Sequence, residues 1–191
     1  MIGETDAQDA SAMADLRAGK ERALNELMDR HSEKLFHYLI RVLQNEEDAA
    51  DAAQETFVRV YRNRTRFKAD QKFTTWLYAI ATNLARDRMR WRSRHPVVSL
   101  DERTFEGARP ADAGQEVLTP REHLESVELS ELVRRAVATL PEELRVPFVL
   151  AQYEDLSQAQ IADVLNCSVK AVETRVYRAR KQLRESLAQL V

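Results

Sequence analysis

Backbone breakers are the feature that most restricts this chain. Its 191 residues hold only four glycines and five prolines, and most of these sit together between His95 and His123: Pro96, Gly107, Pro110, Gly114 and Pro120. Acidic residues Asp101, Glu102, Glu106, Asp112 and Glu116 are interleaved with them. Such a stretch has the composition of a linker. The long runs on either side are nearly free of turn signals, and their apolar residues do not alternate as strands require. The expectation is an all-α chain: two small helical domains, 1–94 and 124–191, joined by an acidic flexible linker, 95–123.

In the N-terminal block, Gly19 ends a short first helix. Leu24, Leu27, Leu35, Leu39 and Val42 then recur at helical spacings. The segment "EEDAADAAQETFVRVYR" sets Ala49, Ala53, Phe57 and Val60 on one stripe, with Asp48, Asp51, Gln54 and Glu55 largely off it. Its acidic first turn complements the helix dipole. A third segment, "WLYAIATNLARDRMRWRSR", crowds arginine beside two tryptophans. At 100° per residue, Trp76, Ile80, Leu84 and Trp91 share one arc and read as core, whereas Ala79, Asn83, Arg86 and Arg90 share another. That second arc is small, polar and cationic, and so suits close approach by a polyanion. Arginine donates bidentately to phosphate, and each neutralised phosphate releases counterions. Arg88, Arg92 and Arg94 read as backbone contacts or as solvated ends. Between these helices the loop "RFKADQKFTTW" carries Phe67, Lys68, Lys72 and Phe73. Aromatic rings among lysines can hold unstacked bases, at about 1–3 kcal/mol per base, or can anchor the loop to the core.

The C-terminal block contains "LSQAQIADVLNCSVKAVETRVYRARKQLRE". Ser157 with Gln160 matches a capping box and opens a short helix whose Ile161, Ala162 and Leu165 face inward. "NCS" forms a tight turn, and Ser168 caps the next helix. There Val169, Val172, Val176, Ala179, Leu183 and Leu187 make the apolar stripe, opposite Lys170, Thr174, Arg178 and Lys181. This is a helix-turn-helix pattern, whose second helix enters the major groove. Thr174 and Arg178 are placed to reach base edges, and Lys170 and Lys181 to hold phosphates. Ahead of it, "VRRAVATLPEELRVPFVLAQYEDLS" supplies two more helices, with Pro141 in a first turn and Val149 and Leu150 as core.

Composition narrows the function further. No apolar run approaches the roughly 20 residues of a membrane span, and no leader opens the chain, so a cytoplasmic protein is expected. One cysteine, Cys167, permits no internal disulfide and reads as a small buried side chain. His31, His37, His95 and His123 lack ligand spacing, and no phosphate loop or nucleophile motif is present. The chain is expected to be neither an enzyme nor a metal or cofactor carrier.

Three motifs in order, "DAADAAQETF", "FTTWLYAIATNLARD" and the helix-turn-helix ending "VETRVYRARKQLRE", resemble those of an extracytoplasmic function (ECF) sigma factor, the compact bacterial type with the second and fourth conserved regions only. The match runs from about Asp15 to Leu187. The resemblance implies that Asp48, Asp51, Gln54, Glu55 and Phe57 dock on the clamp helices of the largest RNA polymerase subunit. It implies that Phe67, Lys68, Lys72, Phe73, Asn83, Arg86 and Arg90 engage the minus 10 element and help to separate its strands. Ser168, Lys170, Thr174, Arg175, Tyr177, Arg178 and Lys181 would read minus 35, with this domain on the flap of the second-largest subunit. The linker would thread toward the polymerase active site. An anti-sigma factor is the implied regulator, and the sigma factor itself would be a monomer that joins the nucleoid within holoenzyme. Ala50, Ala52 and Ala53 are smaller than the acidic or aliphatic residues usual in the docking helix. Glu173 would accept from cytosine or repel phosphate. The competing reading is a stand-alone helix-turn-helix regulator with an N-terminal sensing or dimerisation domain, which would bind duplex DNA without polymerase.

Overall fold

A computed structural model describes residues 4–68, 70–95 and 120–188, with side chains from 130 onward in the last segment. The described residues form helices and turns without strands. In chain order the helices are α1 (Glu4–Arg17), α2 (Arg22–Leu43), α3 (Glu46–Arg62), α4 (Phe73–Arg94), α5 (Pro120–Thr139), α6 (Glu142–Gln152), α7 (Gln158–Leu165) and α8 (Val169–Ala188), with one 3₁₀ turn, Arg64–Arg66, before α4. Most of the stretch expected to be a linker, residues 96–119, lies outside the described residues. α5 already begins at Pro120, inside the 95–123 range; proline is well tolerated in a helical first turn, where its missing N–H has no intrahelical acceptor to lose.

Local chemistry sets the helix ends. Gly19 adopts φ +90°, a conformation costly for any residue with a Cβ, and this turns α1 back onto α2. Asn45 accepts from the Asp48 backbone N–H at 2.8 Å and caps α3. Ser157 and Gln160 form the reciprocal capping box at α7, and Asn166, at φ 50°, closes that helix in the left-handed region. The Ser168 hydroxyl accepts from the Ala171 N–H at 3.2 Å and starts α8.

The N-terminal core is built from Met13, Leu16, Leu27, Leu35, Tyr38, Leu39, Val60 and Leu77, with Phe57 also buried. The C-terminal core gathers Val146, Val149, Leu150, Ile161, Val172 and Ala179. α4 departs from its expected orientation. Phe73, Thr75, Leu77, Tyr78, Ala81, Thr82 and Ala85 are the buried residues, while Trp76, Ile80 and Leu84 are only half-buried and Trp91 is 51% exposed, stacked on His95 at 4.8 Å. The cause is that α4 packs against α2 and α3 on one side and against α7 of the C-terminal half on another. A single apolar arc does not describe a helix with two packed sides. Val169 departs likewise: it is exposed at the start of α8, beside the turn.

Candidate nucleic-acid interface

α4 carries the greatest density of arginine, and each of these side chains is held by a definable neighbour. Arg88 donates through Nε to Asp48 Oδ1 at 2.6 Å and through a terminal nitrogen to Asp51 Oδ2 at 2.7 Å, and Arg92 also pairs with Asp48. Partial burial would lower the Arg88 pKa, but its hydrogen bonds to Asp51 and Asp48 and their charges carry it above its ordinary value. Arg88 and Arg92 therefore tie α4 to α3. This pairing explains why Asp48 is 8% exposed, although the α3 pattern put it off the apolar stripe.

Of the residues expected to dock polymerase, Gln54 and Asp51 are exposed and Glu55 is half-buried, paired with Arg59 at 3.0 Å. Phe57, at 4% exposure, faces the core. It shares the apolar stripe with Ala49 and Val60, so it cannot offer its ring to a partner without unpacking α3.

The loop before α4 likewise separates into buried and exposed residues. Phe67 and Phe73 are buried, with ring centroids 6.3 Å apart, and lie 5.3 and 6.4 Å from Trp76; His31 completes the cluster at 5.2 Å from Phe73. Edge-to-face packing of this kind anchors a loop. Of the two roles open to these rings, stacking surface or anchor, the packing is that of anchors. Lys68 is exposed, and Lys72 is exposed but paired with Asp6 of α1 at 2.6 Å.

Asn83 and Arg90 are exposed on α4, with Arg90 paired to Asp87 one turn away. Arg86 is half-buried, and its Nε lies 3.4 Å from Glu142 Oε1 of α6. A groove of about 510 Å³ runs between the halves, lined by Arg86, Arg90, Glu142, Glu143 and Arg175. Arg175, expected at the minus 35 element, is thus beside the residues expected at minus 10. It also donates to Cys167 Sγ at 3.5 Å; the thiol is half-buried rather than fully enclosed.

The remaining α8 residues face outward. Tyr177 is 70% exposed, and Ser168, Lys170, Thr174, Arg178 and Lys181 are exposed as well. Lys170 pairs with Glu173 at 3.1 Å, the Thr174 hydroxyl donates to the Lys170 carbonyl at 2.9 Å, and Lys181 lies 3.9 Å from Glu185. Glu173 is accordingly occupied by a lysine one turn earlier on the same helix.

Two polar clusters escape the sequence reading. Asp9, 1% exposed, accepts from Arg30 Nε at 2.9 Å and lies 2.8 Å from His31 Nε2. Glu154, on the turn after α6, receives the Tyr78 hydroxyl and lies 4.0 Å from Arg41, whose guanidinium stands 4.3 Å over the Tyr153 ring. Both clusters join residues far apart in sequence, so spacing carries no signal for them.

Comparison with known proteins agrees with this architecture. The family descriptions Sigma-70 region 2 and Sigma-70, region 4 match residues 27–95 and 130–183. The RNA polymerase sigma-H factor of Pseudomonas aeruginosa is 32% identical, covering 98% of this chain and 97% of that protein. The ECF RNA polymerase sigma factor SigW of Bacillus subtilis is 34% identical, over 92% of this chain and 94% of its own. Among solved structures, CnrH in complex with the cytosolic domain of CnrY superposes with a TM-score of 0.70 at 28% identity, covering 95% of this chain and 98% of that one. The sigma factor RpoE of Bartonella quintana, solved with the anti-sigma factor NepR, shares the fold at 21% identity and a TM-score of 0.65, covering 86% of this chain and 96% of that one. On the strength of both regional matches and of full-length relatives, this chain belongs to the extracytoplasmic function family of RNA polymerase sigma factors.

Proposed function

We propose that this sigma factor uses residues 1–94 to bind core polymerase and open the minus 10 element, and residues 124–191 to read minus 35. The observation that carries this reading is the presence in one chain of two separate exposed polar faces, Asn83 with Arg90 on α4 and Tyr177 with Arg178 on α8. Arginine and small polar side chains on a helix suit phosphate and base-edge contacts. Asp51, Gln54 and Glu55 on α3 form the surface offered to the clamp helices, and the C-terminal half meets the flap. Phe67 and Phe73 support this site from beneath by holding Lys68 and Lys72 in place.

The chain acts as a monomer in the cytoplasm and performs no catalysis of its own. No helix among the described residues is long and apolar enough to cross a membrane. An anti-sigma factor is its regulator; the shared fold with the sigma factor RpoE of Bartonella quintana, solved with the anti-sigma factor NepR, supports this.

Run-off transcription tests the reading. Purified chain plus core polymerase is expected to initiate at its promoter, and core polymerase alone is not. Tight binding to palindromic duplex in a gel shift, together with no retention of core polymerase in a pull-down, would replace it with a stand-alone regulator.

A further inference from the structure

We propose that Glu173 sets base choice at the upstream element: its carboxylate accepts from the exocyclic amine of a cytosine in the major groove. The inference deepens the proposed function, since it rests on the assignment of α8 to minus 35. At about 100° per residue, Lys170, Glu173, Thr174 and Tyr177 share the arc of α8 opposite the buried Val172, Val176 and Ala179. Glu173 is the single acidic residue between Asp163 and Glu185. Its charged neighbours on that side of the helix, Lys170, Arg178, Arg180 and Lys181, are all cationic and exposed.

Two other roles do not suit this geometry. Fold stability does not call for the carboxylate: its ion pair with Lys170 Nζ, at 3.1 Å, joins side chains that are 42% and 85% exposed, and exposed pairs contribute little. Nor is it a bare charge set against phosphate, because the same pair matches it with an ammonium one turn earlier. An ammonium carries more than one donor. One N–H of Lys170 can therefore hold Glu173 in place while another reaches a backbone phosphate. The neighbouring Thr174 hydroxyl gives its proton to the Lys170 carbonyl at 2.9 Å rather than to Glu173.

Base chemistry then selects the partner. An ionised carboxylate only accepts hydrogen bonds. In the major groove guanine shows only acceptors, thymine an acceptor and a methyl group, and adenine a donor beside an acceptor, whereas cytosine shows a donor without an acceptor. Entry into the groove strips water from Glu173, and that loss is recovered only where a donor faces it. Guanine and thymine are thereby rejected, not simply left unread.

In the test, the whole chain bound to core polymerase selects promoters from a pool randomised across the minus 35 element, with Glu173→Ala and Glu173→Gln as variants. The parent is expected to prefer cytosine at one position by about fivefold or more. Glu173→Ala is expected to flatten that position and keep the others. Glu173→Gln is expected to move the preference there toward adenine, whose donor and acceptor a carboxamide meets together. Melting temperatures of parent and variants are expected to agree, because the side chain belongs to neither core. A parent that selects other bases but no cytosine, or a cytosine preference that survives Glu173→Ala, overturns the inference and keeps the minus 35 assignment. So does a Glu173→Ala chain that binds every sequence more tightly with unchanged preferences, which is the mark of simple phosphate repulsion. A parent that selects no base upstream removes the minus 35 assignment itself, and the inference with it.

Discussion

Asp9 shows how much can rest on one side chain. It accepts from Arg30 and lies against His31, and through them it fastens α1 to α2 beneath the ring of Phe73. Asp9→Ala would leave the buried His31 and the half-buried Arg30 without their acceptor, a change that costs about 3 kcal/mol. Urea denaturation is expected to show a lower midpoint with an unchanged slope. Arg178 is the contrasting residue, exposed on α8 and dispensable to either core. Arg178→Ala is expected to leave the melting temperature in place and to weaken minus 35 recognition by about 1–3 kcal/mol, read as a gel shift of the chain bound to core polymerase on promoter against scrambled duplex. The sequence discloses Arg178 because groove-facing positions follow from helical period alone. It does not disclose Asp9, whose meaning depends on a histidine two turns into the next helix. Phe67 and Phe73 stand between these cases: aromatics among lysines suit both a stacking surface and an anchor, and the rings of Trp76 and His31 decide for the anchor.

At the scale of elements, the helix-turn-helix was legible almost to the residue, because its boundaries are written in local chemistry. Ser157 and Gln160 satisfy each other's backbone N–H groups, and Asn166 takes the left-handed conformation that stops α7. Ser157→Ala removes the cap and is expected to cost about 1 kcal/mol, seen as a lowered melting temperature that Ser157→Asp largely restores. α4 was legible as a helix and misread as a surface. Angular analysis presumes one buried face, and α4 has two, so Trp91 swings outward while Tyr78 and Thr82 turn in. The Tyr38 hydroxyl, 2.6 Å from Thr82 Oγ1, shows that polar residues can line that inner face when they satisfy one another.

For the whole molecule, the all-helical division into two blocks followed from where glycine and proline cluster, but the contact between the blocks did not. Its partners lie far apart in the chain, and each looks like an ordinary surface residue of its own half. The contact is expected to respond to acidity. Burial raises the Glu154 pKa above its ordinary value, against the Tyr78 hydrogen bond and the charges of Arg41 and Lys34, while Asp155 adds to the rise. Tyr38 and Tyr153 also face this cluster, and burial raises both phenols, keeping them neutral. The folded chain therefore binds the Glu154 proton more tightly than the unfolded chain. Its contribution to stability is complete below the carboxyl's ordinary pKa and is lost as pH rises through the raised value. Thermal denaturation between about pH 8 and about pH 5 is expected to show the melting temperature rising toward acid through this group, with Glu154→Gln flattening the response.

The chain's two tryptophans both lie on α4, at opposite ends. Trp76 is half-buried among phenylalanine rings, and Trp91 is half in water against the His95 imidazole. Tryptophan emission therefore comes entirely from the helix assigned to strand opening, with a bluer component from one end and a redder one, open to quenching by aqueous iodide, from the other. α4 is its own optical probe, and events along it can be followed in the unlabelled protein.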